Sequence, residues 1–220
     1  TPRVRVVVLA SSGPVFSAGH DLREMAQRSD ETAEQHAARL RRILDDCARM
    51  MLGLVHSPKA VIGCIQGTAT AAGCQLVSAC DLAIASDGAQ FCTPGVNIGT
   101  FCTTPLVGIG RNLHRKHAME LALTGDLFGA DDAVRFGLVN RAVPAQSLRD
   151  EVTDLAEKIA SKSAQAIRAG KETFYRQIDM PIEAAFDYAS EAMLQGLISG
   201  DASEGTRAFL EKRAPVWGDA

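Results

Sequence analysis

The stretch Gln66–Asp81, QGTATAAGCQLVSACD, follows the apolar run Ala60-Val61-Ile62-Gly63-Cys64-Ile65, and its reading decides the fold. Glycine at 67 and 73, with small residues from Thr68 to Gly73, leaves little side-chain bulk where a strand turns into a helix. The backbone there can approach a ligand closely. A helix start also presents free N–H groups, and with the macrodipole behind them these favour negative charge. A tightly packed structural turn would have the same composition. Cys74 to Cys80 reads as the buried first turns of the helix, and Asp81–Ala85 resumes an extended apolar segment.

Upstream, Ala10–Asp21 (ASSGPVFSAGHD) is a second glycine-punctuated loop after a strand. It lacks the GxGxxG spacing of a dinucleotide fold. It offers instead a backbone turn at Ala18-Gly19-His20. The preceding Arg3–Leu9 (RVRVVVL) suits a strand buried on both faces, which needs a neighbour on each side. With no initiator Met, that pattern leads us to expect residues upstream of Thr1. Between the two glycine-rich turns, Asp30–His56 carries Ala37, Leu40, Leu44, Cys47, Met51 and Leu54 at helical spacing and ends at Ser57-Pro58.

Downstream, Ala89–Cys92 is predicted as a short strand and Pro94–Gly99 as a loop with turn residues at both ends. Helices are predicted over Thr103–Arg111, Lys116–Leu123 and Ala130–Phe136, the last closed by Gly137 in the left-handed conformation. Leu138–Val143 is a strand stopped by Pro144. Leu148, Val152, Leu155 and Ile159 share one helix face, and Ala164–Gln177, Pro181–Leu197 and Ser203–Lys212 continue as helices. The front half alternates strand and helix, while the back half is almost all helix. Two regions follow: a core over 1–144 and a helical cap, suited to oligomerisation, over 145–220.

The 220 residues are 46% apolar and 22% charged with a net charge of −3, as in an ordinary globular protein. No Lys/Arg stripe points to nucleic acid, and no apolar run reaches the ~20 residues of a membrane span. Cys47, Cys64, Cys74, Cys80, Cys92 and Cys102 lack CxxC spacing and read as free buried thiols. His114 and His117 could share a helix face but have no third ligand nearby, so no metal site is expected.

SAGHDLREM and VIGCIQGTATAAGCQLVSACDLAIAS, with AQFCTPGVNIG, LTGDLFGADDAVRFGLVNRAVP and AFLEKRAPVW, resemble the crotonase superfamily, the enoyl-CoA hydratase/isomerase family. The motifs occur in the family's order and cover essentially the whole chain. The resemblance implies an α/β fold: a spiral of ββα turns with two nearly perpendicular sheets and a C-terminal helical cap. The family's N-terminal strand and hairpin have no counterpart. The resemblance further implies an acyl-CoA thioester as partner, a homotrimer or dimer of trimers, and no cofactor beyond the CoA carried by the substrate. Bacterial cytoplasm is the expected location, or the mitochondrial matrix if the chain is eukaryotic.

By position, the family's oxyanion-stabilising donors fall on the backbone N–H groups of His20 and Ala72, with Ala18 and Gly19 lining the CoA side. Lys212 and Arg213 match a basic stretch near the nucleotide end of CoA. The two hydratase glutamates are replaced by Gln75 and Gly95. Glutamine can orient water but cannot exchange a proton near neutral pH, and glycine has no side chain. The positions at which isomerase-type and dehalogenase-type members carry their acids fall near Thr103 and Phe101, neither of them acidic. Three functions fit: an enzyme needing mainly enolate stabilisation, such as a decarboxylase or thioester hydrolase; a weak hydratase or isomerase holding water on Gln75; or a non-catalytic acyl-CoA-binding protein.

Overall fold

The computed structural model describes residues 3–218. Its elements are β1 (Val6–Ala10), β2 (Val15–Ser17), α1 (Leu22–Met25), α2 (Ala33–Val55), β3 (Ala60–Ile65), β4 (Thr68–Thr70), α3 (Ala72–Ala79), β5 (Leu82–Ser86) and β6 (Gln90–Cys92). There follow a 3-10 turn over Pro94–Ile98, α4 (Pro105–Asn112), α5 (Arg115–Thr124), β7 (Phe128–Gly129), α6 (Ala130–Phe136), β8 (Arg141–Val143), α7 (Leu148–Ala160), α8 (Ala164–Gln177), α9 (Ile182–Leu197) and α10 (Gly200–Leu210).

The strands form two sheets, in the orders β1-β3-β5-β8 and β2-β4-β6-β7. Strands β1 to β6 alternate between the sheets in three pairs, each followed by a helix or helical turn, which is the expected ββα spiral; β7 then pairs antiparallel with β6, and β8 returns to the first sheet after α6. Helix boundaries follow local chemistry. Gly125 and Gly137 end α5 and α6 at φ +67° and +91°, where a side chain would be strained. Helix α2 opens with a reciprocal capping box: Gln35 N donates to Thr32 Oγ1 at 3.2 Å and Thr32 N to Gln35 Oε1 at 2.9 Å.

Two expectations need correction. Strand β1 is not buried on both faces: Val8 is exposed, so one face of the strand is left uncovered there, and among the described residues β1 stands at the end of its sheet order beside β3. Strand β7 has no sequence signal, since two residues carry no period. It forms because Phe128 pairs with Phe91 and their rings stack with centroids 5.6 Å apart.

The chain divides into two compact units. The first holds Val8–Val55 and Ile62–Val152. Its main core joins Phe16, Ile65, Ala69, Cys74, Val77, Phe91, Ile109 and Leu121 from both sheets and their helices. Each fully buried large side chain there contributes roughly 1.5–3 kcal/mol. All six cysteines are buried as thiols, outside any disulfide. The second unit holds the described residues up to Val7, with His56–Val61 and Thr153 onward. Its helices expose Phe174, Phe186, Leu194, Leu197 and Phe209. Tyr188 and Trp217 are partly covered within their own unit. Arg176 lies over the Tyr188 ring, while Trp217 Nε1 donates to Ser161 O at 2.8 Å and its ring packs on Gly205.

Candidate active site

The site follows from strand direction. β2, β4 and β6 run parallel, with Ser17 paired to Ala69 and Thr70 to Cys92. The segments leaving their C-terminal ends, Ala18–His20, Ala71–Gln75 and Thr93–Gly95, therefore emerge on one side of the sheet. Parallel sheets commonly bind ligands at that end.

Glycines press the first two segments together. Gly19 has φ +85°, and a Cβ there would lie 3.1 Å from both Ala72 N and Thr70 O. A Cβ on Gly73 would sit 2.2 Å from Ser17 O, and one on Gly67 2.0 Å from Pro14 O. Thr70 Oγ1 donates to Ala18 O at 3.0 Å, tying the turns. Ala71 N continues the ladder by donating to Cys92 O at 2.9 Å. Ala71 itself adopts φ +49° and ψ −116°, costly for a residue with a Cβ. Immediately after it, the Ala72 N–H stands at the start of α3. Among the described residues neither the His20 N–H nor the Ala72 N–H has an acceptor.

The positions of the two family glutamates have different surroundings. Gln75 is 7% exposed, and its Oε1 accepts from the Cys47 Sγ of α2 at 3.9 Å. Cys47 lies 28 residues away, a spacing that carries no sequence signal. Gly95 is buried, and a Cβ there would lie 3.0 Å from both Cys102 N and Cys102 Sγ. A side chain at 95 would be crowded by the Phe101–Cys102 segment, which would have to give by a few tenths of an ångström. Thr103 is exposed, its hydroxyl donating to Phe101 O at 3.1 Å.

The thiols of Cys74 and Cys92 do not offer a nucleophile. The Cys74 Sγ donates to Ala69 O at 2.9 Å, and burial pushes its pKa well above the ordinary thiol range. Burial pushes Cys92 up to about 11. Both stay protonated near neutral pH. Among the described residues no group of three His, Cys, Asp or Glu side chains is placed to hold a metal.

Lys212 and Arg213 belong to the second unit. Arg213 is held between carboxylates, donating to Glu204 Oε1 and Glu211 Oε2 at 2.6 Å each. Lys212 is exposed, on a backbone with φ +55°.

Residues 1–220 match the family model described as enoyl-CoA hydratase/isomerase, and the chain belongs to that family. Within the family it is similar to rat enoyl-CoA hydratase domain-containing protein 3, mitochondrial: 43% identical over 216 residues, covering 97% of this chain and 69% of the relative. The crystal structure of the human protein of that name superposes with a TM-score of 0.93 at 41% identity, covering 99% of this chain and 83% of that one. An enoyl-CoA hydratase structure from Mycobacterium smegmatis gives a TM-score of 0.91 at 45% identity, covering 99% and 82%.

Proposed function

We propose that the protein binds an acyl-CoA thioester and polarises its carbonyl with the N–H groups of His20 and Ala72. The unpaired donors on two turns that Gly19 holds in contact carry this reading. Such donors stabilise the oxyanion of an enolate, and losing one typically costs about 10²–10³ in rate. The paired carboxylates of a hydratase are missing, so the reaction is one that needs mainly oxyanion stabilisation, of an enolate in decarboxylation or of a tetrahedral intermediate in thioester hydrolysis, and hydration is slow. A second reading, acyl-CoA binding without turnover, is favoured by the crowding of Gly95 against Phe101 and Cys102. CoA enters as part of the substrate, with Ala18 and Gly19 beside its thioester end; in the second unit the exposed Lys212 is a candidate cation for a phosphate. Arg213 is less suited, being neutralised by Glu204 and Glu211.

The exposed aromatic and aliphatic side chains of α8 to α10 support a trimer or dimer of trimers. Among the described residues no helix is long and apolar enough to cross a membrane. For location we propose the bacterial cytoplasm, with the mitochondrial matrix for a eukaryotic chain; the name of the rat relative, a mitochondrial protein, supports the second.

Gly19→Ala tests the site. The added Cβ meets Ala72 N and strains a positive φ, so calorimetry should show butyryl-CoA binding weakened at least tenfold. Unchanged affinity would place the thioester elsewhere.

A further inference from the structure

Of the two proposed donors, the His20 N–H is the harder to hold in place. It lies one peptide beyond Gly19, so the two backbone dihedrals of Gly19 set its direction. A residue without a Cβ does little to restrict those dihedrals itself. Glycine is nonetheless required there, since φ is +85° and a Cβ would lie 3.1 Å from Ala72 N. A donor aimed at an oxyanion contributes most when it is fixed before the substrate arrives. The freedom of this glycine therefore has to be removed from outside.

Two hydroxyls hold the peptide that precedes it. The Ala18 carbonyl and the Gly19 N–H are opposite ends of one planar unit. The carbonyl oxygen accepts from Thr70 Oγ1 at 3.0 Å, and the N–H donates to Ser17 Oγ at 3.3 Å. Ser17 ends β2 and Thr70 ends β4, and the pairing of these parallel strands runs as far as Ser17 opposite Ala69. Both hydroxyls thus stand at the end of paired backbone, and between them they restrain the plane from which the His20 N–H is hung. Thr70 is also two residues before Ala72, the second donor. Ala71 between them is anchored in turn, its N–H donating to Cys92 O at 2.9 Å. One side chain therefore links the turn of the first donor to the turn of the second. Packing does not explain it: Ser17 and Thr70 are only partly buried, and a strand position is served as well by valine as by threonine. The hydroxyl is what the Ala18 carbonyl uses.

Resting on the acyl-CoA reading above, we infer that Thr70 is a positioning residue for the oxyanion site, acting with Ser17 through the Ala18–Gly19 peptide to aim the His20 N–H at the same oxygen as the Ala72 N–H.

Calorimetry on the full chain with butyryl-CoA and S-butyl-CoA, the thioether in which a CH₂ replaces the carbonyl, tests this. The two ligands differ at the oxygen the donors would bind, so their affinity ratio reads donor geometry, whereas damage elsewhere in the fold weakens both alike. Two hydrogen bonds to one oxygen should make wild type bind butyryl-CoA roughly tenfold tighter or more. Thr70→Val keeps the shape and loses the donor, and should cut that ratio at least roughly threefold. Thr70→Ser, which keeps a hydroxyl, should stay within about twofold of wild type. Ser17→Ala should lower the ratio in the same direction, and stands in if the valine variant does not fold. An unchanged ratio in the valine variant, or in Ser17→Ala where it stands in, overturns the assignment, as does a serine variant no better than valine. A wild-type ratio near one, or binding of neither ligand, removes the thioester-polarising reading and this inference with it; a high wild-type ratio that survives in Thr70→Val removes this inference alone.

Discussion

At Gly95 a single residue determines which chemistry the site can host. The Cβ of any replacement would lie 3.0 Å from the backbone N of Cys102, closer than side chains ordinarily sit. Overpacking a buried site of this kind typically costs about 1–3 kcal/mol. Gly95→Glu should therefore lower the melting temperature by several degrees and restore no hydratase activity, even combined with Gln75→Glu. A double variant as stable as wild type and with raised hydration would show that the Phe101–Cys102 segment moves aside. The sequence displays the substitution at 95, because the flanking motif fixes the position. It does not display the reason, a contact with backbone six and seven residues on. Likewise Gln75 is identifiable by its place after Ala72, whereas its thiol partner Cys47 sits on another helix and reads from the sequence only as an apolar-face residue.

Among elements, the segment that follows His20 is tied down by α2. Arg39 Nε donates to Glu31 Oε1 at 2.8 Å and its Nη2 to Glu31 Oε2 at 2.7 Å, while it also reaches the carbonyls of Glu24 and Ala26 and lies 3.0 Å from His36 Nδ1. His36 Nδ1 lies 3.1 Å from Glu31 Oε2. The Arg39 guanidinium holds the Glu31 pKa down from 4.5 to about 2. A carboxylate whose folded-state pKa is depressed stabilises the fold above its unfolded-state value and loses that contribution as pH falls toward the folded value. Glu31→Gln should therefore lower the melting temperature at pH 7, and the gap from wild type should close as pH falls from about 4.5 toward 2. A gap independent of pH would mean that packing, not charge, gives Glu31 its effect. Elements of this size were largely legible: glycine stops, the long periodic stretch of α2 and the alternation of strand with helix all have local causes. The failures were β1, whose exposure depends on where it falls in a sheet, and β7, whose two residues are ordered by Phe91 on another strand.

For the whole molecule, the second unit leaves unexplained surface. Phe186 is 68% and Phe209 82% exposed, and a cavity of about 970 Å³ lined by Phe174, Ile182, Phe186 and Met193 opens among its helices. Burying such side chains between copies supports the proposed trimer or dimer of trimers. Sedimentation at micromolar concentration should give three or six times the 23.4 kDa chain mass, and a monomer alone would defeat the assembly.

The central claim is that a thioester-polarising site persists here without the proton-transfer pair of a hydratase. The most direct measurement is steady-state hydration of crotonyl-CoA by the wild-type protein, made alongside its binding of the saturated analogue butyryl-CoA. Well-placed general acids and bases typically contribute 10²–10⁴ each. The expected result is butyryl-CoA binding with hydration at least about 10² slower than that of a two-glutamate enzyme measured in the same assay. Turnover matching the two-glutamate enzyme would contradict the claim and move the proton chemistry to residues other than those at positions 75 and 95.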